Sequence, residues 1–277
     1  MEFLNKGEYF RDGRYISIPK IGNVRCRGQF EARGDQKYLR IILRARGWFA
    51  QILFDDRQGA PERVDIRSQC GIDVGLSKFA TFDNGDVVDS PRFLRKMEKK
   101  IARAQRLVSR RKKGGKNRAK ALRRVQLLHE KVAAQRKDFC HKNSRMVVSR
   151  YDLIAVEKLS TSGMRRGRFA KSIHDASWGI FFRNLTYKCS DSGKTLVEVQ
   201  PHGTSQICSG CGKIVRKSLS DRVHECSCGL TLDRDVNAAR NILIRAVGAE
   251  FTPVESRGAT KDDEAGRVTG PLQSGLV

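Results

Sequence analysis

The sequence predicts an α/β fold: a sheet of buried-type strands, interrupted by a helical hairpin and a cysteine cluster, and preceded by a small β-domain. Three observations carry that expectation. Short apolar runs at Cys70–Leu76, Lys78–Phe82, Tyr151–Val156 and Lys194–Val199 have strand length and alternate with helical stretches. The region from Ser90 to about Val148 has helical periodicity, broken once at Gly114-Gly115. Four of the eight cysteines, Cys208, Cys211, Cys226 and Cys228, fall in one short stretch, whereas Cys26, Cys70, Cys140 and Cys189 stand alone.

The first segment, residues 1–60, reads as antiparallel strands. Tyr38 to Leu43 and Trp48 to Phe54 alternate with glycine and charged turns, and Pro61 marks a boundary. Residues 61–247 make the main domain. Its opening strands end in Asn84-Gly85, a turn dipeptide, with Asp86 to Val88 beyond. A helical hairpin follows over residues 91–148, with Leu94, Met97, Ile101 and Ala104 spaced as one packing stripe. A glycine-, arginine- and serine-rich loop is expected from Ser160 to Ser172. A helix should run from about Asp175 to Cys189, with Trp178, Phe181, Phe182 and Leu185 on its apolar side. The cysteine insert spans residues 203–232. A last helix lies within Leu232 to Val247, where Val236, Ala239, Leu243 and Val247 recur at helical spacing. Residues 248–277 are rich in glycine, proline and charge without periodicity, and are expected to be a disordered tail.

Composition narrows the partners. Fifty-five Lys and Arg against 30 Asp and Glu leave a formal charge of +25. A compact chain so charged repels itself, and the usual physical reason for tolerating it is a polyanion whose counterions are released on binding. Nucleic acid is the default. An anionic membrane would need an anchor, and no apolar run approaches the ~20 residues that span a bilayer. Met1 to Phe10 lacks the apolar core of a signal peptide. The expectation is a soluble protein of the bacterial or archaeal cytoplasm, associated with the nucleoid. The charge is densest between Arg92 and Arg124, where sixteen Lys or Arg face one acid, Glu98. Arg110, Arg111, Lys112, Lys113, Lys116 and Arg118 around the hairpin turn are the candidate nucleic-acid contacts. A solvated face is the bland alternative for any single one of them.

The cysteine pairs Cys208-Ser-Gly-Cys211 and Cys226-Ser-Cys228 are separated by fourteen residues. Two such turns can bring four thiolates to the corners of a tetrahedron, the closed geometry of structural Zn²⁺. The single residue inside the second pair departs mildly from the commoner spacing. His224 is a neighbouring competitor, read as a bystander because four thiolates already fill the shell. A closed site folds its surroundings and activates no water.

Three carboxylates occupy unusual settings. Asp73 sits within an apolar strand and Glu157 ends another, where an uncompensated charge costs several kcal/mol. Asp235 opens the last helix, just after the cysteines. Each alone could be a cap or an ion-pair partner. Together, in a basic chain, they point to a hard-cation site. Phosphodiester hydrolysis needs an attacking hydroxide and a stabilised leaving oxygen, which two Mg²⁺ about 4 Å apart can supply. In that reading Asp73 bridges both ions while Glu157 and Asp235 each hold one.

The segments GIDVGLSKFAT, IAVEKLS, TSQICSGCG and CSCGLTLDRDVNAARNIL, in this order over roughly residues 64–244, resemble the RuvC nuclease and zinc ribbon of the transposon-encoded TnpB proteins, relatives of the type V CRISPR nucleases. The resemblance implies a ribonuclease H-like RuvC fold and a wedge-type β-domain for the N-terminal strands. It implies RNA-guided cleavage of target DNA, with a guide RNA from the transposon end and recognition of a short motif beside the target. It supports Asp73, Glu157 and Asp235 as the catalytic set; Asp233 is the second choice to Asp235, a residue acting from behind the site. Asn237 is read as a polar group at the helix start. The family's helical recognition segment has no counterpart ahead of Tyr15-Ile-Ser-Ile-Pro-Lys-Ile-Gly22, so a chain shortened at its N-terminus is expected. Alternatives remain: a repressor or RNA-binding protein with an idle nuclease, an unguided junction nuclease, and a transposase. Nothing in the sequence fixes the oligomeric state.

Overall fold

The computed structural model describes residues 2–4, 10–11, 14–27, 34–55, 59, 61–159, 169–218, 220–248 and 270–272. The chain separates into two units, one of residues 1–59, 101–130 and 257–277, the other of residues 60–100 and 131–256.

The first unit is built on antiparallel strands. β1 (Glu2–Leu4), β5 (Asp35–Arg44), β6 (Gly47–Asp55) and β14 (Gly270–Leu272) form one sheet in the order β1-β5-β6-β14. β2 (Phe10–Arg11), β3 (Tyr15–Ile18) and β4 (Gly22–Arg25) form another. The alternation read in Tyr38–Leu43 and Trp48–Phe54 becomes the β5–β6 hairpin, with Leu39, Ala50 and Ile52 joining Ile16, Ile18 and Cys26 in a small core. Of the stretch expected to be a tail, Gly270–Leu272 pairs with Ala50 to Trp48 of β6; the rest from 249 onward lies outside the described residues.

The hairpin helices are α1 (Phe93–Ser109) and α2 (Lys116–Arg150), and they break at Gly114-Gly115 as expected, with Gly114 at φ 79°. Residues 101–130 belong with the first unit. There the Ala45 N–H at the β5–β6 turn donates to Glu130 Oε1 (2.6 Å), and Arg123 Nε donates to the Ala45 carbonyl (3.0 Å).

The second unit holds a five-stranded sheet of β7 (Gln69–Asp73), β8 (Lys78–Phe82), β9 (Val87–Asp89), β10 (Leu153–Glu157) and β11 (Thr195–Val199), ordered β11-β10-β7-β8-β9. β7, β10 and β11 run parallel, whereas β8 and β9 are added antiparallel. Parallel strands need both faces covered, and both are. Cys70, Ile72, Ile154 and Val156 face a core with Phe79, Trp178, Phe181 and Leu185. Leu153, Ala155, Val197 and Val199 face Ile242 and Ala246 of the last helix, α5 (Arg234–Gly248).

The single helix expected over Asp175–Cys189 is two helices, α3 (Ala170–Ala176) and α4 (Trp178–Asp191). Ser177 separates them in the left-handed region (φ 61°, ψ 34°); its N–H ends α3 on the Ile173 carbonyl, and its own carbonyl starts α4 by accepting from Ile180 and Phe181. Of the loop expected before them, residues 160–168 lie outside the described residues, and 170–172 are already helical. Asp175 anchors the hairpin here. It accepts from the Leu94 N–H at the start of α1 and pairs with Arg136 of α2 at 2.8 Å, both side chains nearly buried. Last, a short hairpin of β12 (Val223–Glu225) and β13 (Thr231–Asp233) carries the second cysteine pair and runs straight into α5.

Candidate active site and metal centre

Strand periodicity decides where the acids point. Successive side chains alternate between the faces of a strand. Gly71 of β7 and Leu153 and Ala155 of β10 face α5, so Asp73 and Glu157, two residues further on in each strand, share that face. The parallel register pairs Ala155 with Gly71 and Val156 with Ile72. One step onward it sets Glu157 beside Asp73, at the carboxyl ends of neighbouring strands, where open α/β sheets place their ligands. α5 lies tightly on β7: a Cβ added to Gly71 would stand 2.0 Å from the Ala239 carbonyl oxygen. That close approach brings the first turn of α5, with Asp235, over the strand ends.

The electrostatics record the result. Loss of solvation pushes the Asp73 carboxyl well above its usual range, and the neighbouring charges of Glu157 and Asp235 push it further, with Arg234 opposing them. Like charges sharing a site raise one another's proton affinity in this way, and a divalent cation would relieve it. The two outer carboxylates also take partners elsewhere. Glu157 Oε1 accepts from the Thr204 hydroxyl at 2.5 Å, and Asp235 Oδ1 lies 3.4 Å from Arg234 Nε. The donor set is hard oxygen throughout, which fits Mg²⁺.

Asp233 stands apart from this trio. Its Oδ1 accepts from the Asp235 N–H (2.8 Å) and its Oδ2 pairs with Lys78 of β8 (2.8 Å), so it caps α5. Asn237 is fully buried; its Oδ1 accepts from the Ser209 N–H (2.9 Å) and its Nδ2 donates to the Ile207 carbonyl (2.7 Å). It ties the cysteine insert to α5.

The insert folds as two matched turns. The Gly212 N–H reaches the Cys208 carbonyl and the Cys208 N–H the Lys213 carbonyl; likewise Gly229 reaches Cys226, and Cys226 reaches Leu230. Gly212 (φ 75°) and Gly229 (φ 92°) supply the left-handed backbone after each cysteine pair. The four sulfurs lie within 4.8 Å of one another, with Cys208 to Cys228 at 3.7 Å and Cys211 to Cys226 at 3.5 Å. Tetrahedral thiolates about 2.3 Å from one ion stand ~3.8 Å apart, so the set fits a single metal. Amide donation from Cys228, with the neighbouring thiols, pulls the Cys226 thiol down, while those thiols push Cys211 up. His224 is buried and directs Nδ1 to the Lys217 ammonium, outside the sulfur cluster. The four scattered cysteines are all buried.

Two family models cover most of this region. Residues 52–168 match the OrfB_IS605 family, described as a probable transposase, and residues 178–242 match the Cas12f1-like TNB domain. A Streptomyces pristinaespiralis protein, provisionally named an RNA-guided DNA endonuclease, is 35% identical over 81% of this chain and 56% of its own length. The Escherichia coli K12 protein InsQ, named in the same provisional way, is 32% identical over 82% of this chain and 61% of its own. The chain carries the OrfB_IS605 and Cas12f1-like TNB domains, in that order. It spans little more than half the length of these curated relatives. The fold is also that of Cas12f1: a structure of the Cas12f1–sgRNA–target DNA complex superposes with a TM-score of 0.54 at 19% identity, covering 75% of this chain and 45% of that one.

The basic residues of the chain divide by environment. Arg110, Arg111, Lys112, Lys113 and Lys116 are exposed around the hairpin turn, whereas Arg118 is half-buried and donates to the Val108 carbonyl (2.9 Å), closing the end of α1. Two residues at the site escaped the sequence reading. Thr204 gave no signal because a lone threonine in a loop has no pattern, and a single lysine opening the Lys78–Phe82 run has none either. Among the described residues no helix is long and apolar enough to cross a membrane.

Proposed function

We propose that the chain is an RNA-guided DNA endonuclease of ribonuclease H-like RuvC type, in which Asp73, Glu157 and Asp235 hold catalytic Mg²⁺. The observation that carries the reading is the parallel register that sets Glu157 beside Asp73 at the carboxyl ends of β10 and β7, with Asp235 on the first turn of α5 near enough to act on the Asp73 carboxyl. Bound there, divalent ions would supply a hydroxide nucleophile at neutral pH and Lewis-acid stabilisation of the leaving oxygen. The chain's own part is to present hard oxygens from a rigid sheet, to orient Glu157 through Thr204, and to hold Asp235 on the capped end of α5. The four cysteines would hold one structural Zn²⁺ and leave no open position, so the zinc ribbon shapes the site without taking part in the reaction.

Guide RNA from the transposon end and target DNA are the proposed partners. The +25 charge and the exposed Arg110 to Lys113 run support polyanion binding, and the relatives' names support guided cleavage. In such a system base pairing reads the sequence and the protein holds the heteroduplex through its backbone. The test is cleavage of a matched DNA by the chain purified with its RNA. Cutting in Mg²⁺, none in EDTA and none with Asp73→Ala are expected. RNA from the purified protein should be enriched in transposon-end sequence. Retained cleavage in Asp73→Ala would remove the acids from the mechanism, and RNA without enrichment would remove the guide.

A further inference from the structure

The cysteine insert and the carboxylate site meet at one residue. Thr204 is 6% exposed, and its two polar ends face opposite ways. Its hydroxyl donates to Glu157 Oε1 at 2.5 Å. Its carbonyl accepts from Asn241 Nδ2 at 2.8 Å and, at 3.5 Å, from Asn237 Nδ2. The same two asparagines, one turn apart on α5, also hold the Ile207 carbonyl, at 2.6 Å from Asn241 and 2.7 Å from Asn237. Asn237 further receives the Ser209 N–H. The backbone from Thr204 to Ser209, which contains Cys208, is thus fixed to α5 by side-chain amides and not by a strand ladder.

The other ties of this segment run to its own turn and to the cysteine insert. Gly203, at φ 70°, turns the chain out of the sheet, and the Gln206 and Ile207 N–H groups return to its carbonyl. Beyond that turn come the Ile207–Ile214 bridge, the Val215 N–H on the Gln206 carbonyl (2.8 Å), the Lys217 ammonium on the Ser205 carbonyl (3.0 Å) and the knuckle itself. A carboxylate at a strand end can rotate about its last torsion, and a single short donor on one oxygen selects one orientation. Groups behind metal ligands that fix their orientation commonly change metal affinity by about 10- to 100-fold when removed.

We propose that Thr204 is a positioning residue that makes the orientation of the Glu157 carboxylate depend on the folded cysteine knuckle. Occupancy of the thiolate site by zinc then sets how well the carboxylate site takes a divalent cation, although no residue is shared between them. The inference rests on Glu157 being a cation ligand, the reading proposed above. It adds a coupling between the two centres and names its carrier.

The test reads Mn²⁺ binding directly, by electron paramagnetic resonance titration of the full zinc-loaded chain without nucleic acid. Thr204→Val, which keeps the shape and loses the donor, should weaken Mn²⁺ binding by about 10- to 100-fold, with zinc content unchanged. Thr204→Ser, which keeps the hydroxyl, should stay within about threefold of the parent chain. In a Glu157→Gln background the Val substitution should have no further effect beyond about twofold. Cys208→Ser, which opens the knuckle, should weaken Mn²⁺ binding as Val does. Equal Mn²⁺ affinity in Thr204→Val and the parent chain overturns the relay, and full affinity in Cys208→Ser overturns its dependence on the knuckle. Where Thr204→Val does not retain zinc, Thr204→Ala takes its place in the series. A parent chain that binds no Mn²⁺ at all takes down the carboxylate site itself, a separate outcome visible before any variant is made.

Discussion

Asp233 and Asp235 differ in sequence position by two residues and in environment completely. Asp235 contributes to the crowding of negative charge around Asp73, whereas Asp233 accepts the Asp235 and Val236 N–H groups and pairs with Lys78. The Lys78 ammonium holds the Asp233 carboxyl below the usual carboxylate range despite its partial burial, together with the amide N–H of Asp235. A capping role makes a specific prediction. Asp233→Ala should cost about 1 kcal/mol in thermal unfolding, and Asp233→Ser, another good cap, should recover most of it. Lys78→Met should cost less than about 1 kcal/mol, because both partners of that pair are about a third exposed and screened by water. A loss in Asp233→Ser as large as in Asp233→Ala would show that the carboxylate does more than cap.

At the level of elements, the site depends on how closely α5 approaches β7. Gly71 permits it, since any Cβ there meets the Ala239 carbonyl at 2.0 Å and Leu243 at 2.9 Å. Gly71→Ala must therefore push the helix back. We expect a stability loss of about 1–3 kcal/mol, the usual range for overpacking, with weakened divalent-cation binding as Asp235 withdraws. Unchanged denaturant midpoint and cation affinity would contradict this. The hairpin has a comparable anchor in Arg136 and Asp175, 9% and 6% exposed at the side chain. Asp175→Ala leaves the guanidinium buried without its counter-charge and removes the acceptor for the Leu94 N–H, so a loss of about 3–5 kcal/mol is expected in chemical unfolding. Among its described residues the cysteine insert has two short strands, β12 and β13, the Ile207–Ile214 bridge and tight turns. Cys208→Ser should release zinc and increase hydrogen exchange over residues 203–232, and full zinc content in the variant would refute the four-thiolate site.

On the scale of the whole molecule, the charge is the dominant fact. Arg110, Arg111, Lys112 and Lys113 lie exposed at the hairpin turn, with no acid between them. Replacing all four with Gln should weaken RNA or DNA binding and lower the slope of log affinity against log salt by roughly 1 to 3, since each phosphate contact contributes close to 0.9 on duplex DNA and less on single strands. An unchanged slope would return these residues to the role of a solvated face. Arg118 is left out of this set because its guanidinium is already committed to the Val108 carbonyl.

The sequence by itself determined whatever depends on periodicity and spacing. The strands that carry Asp73 and Glu157, the hairpin broken at Gly114-Gly115, the paired cysteines and the helix that carries Asp235 in its first turn follow from local patterns that short-range physics imposes on the backbone; that β7 stops at Asp73, short of the expected Leu76, does not. It misread the helix interrupted at Ser177, because a left-handed serine leaves no compositional mark, and it passed over Gly270–Leu272, whose pairing with β6 is a long-range contact. Tertiary structure alone decided that Thr204 meets Glu157, that Asp233 turns to Lys78, and that Asn237 and Asn241 hold the knuckle. Each of these is a contact between residues distant in the chain, fixed by the packing of a helix on a sheet, and no local preference of a threonine, an aspartate or an asparagine encodes it.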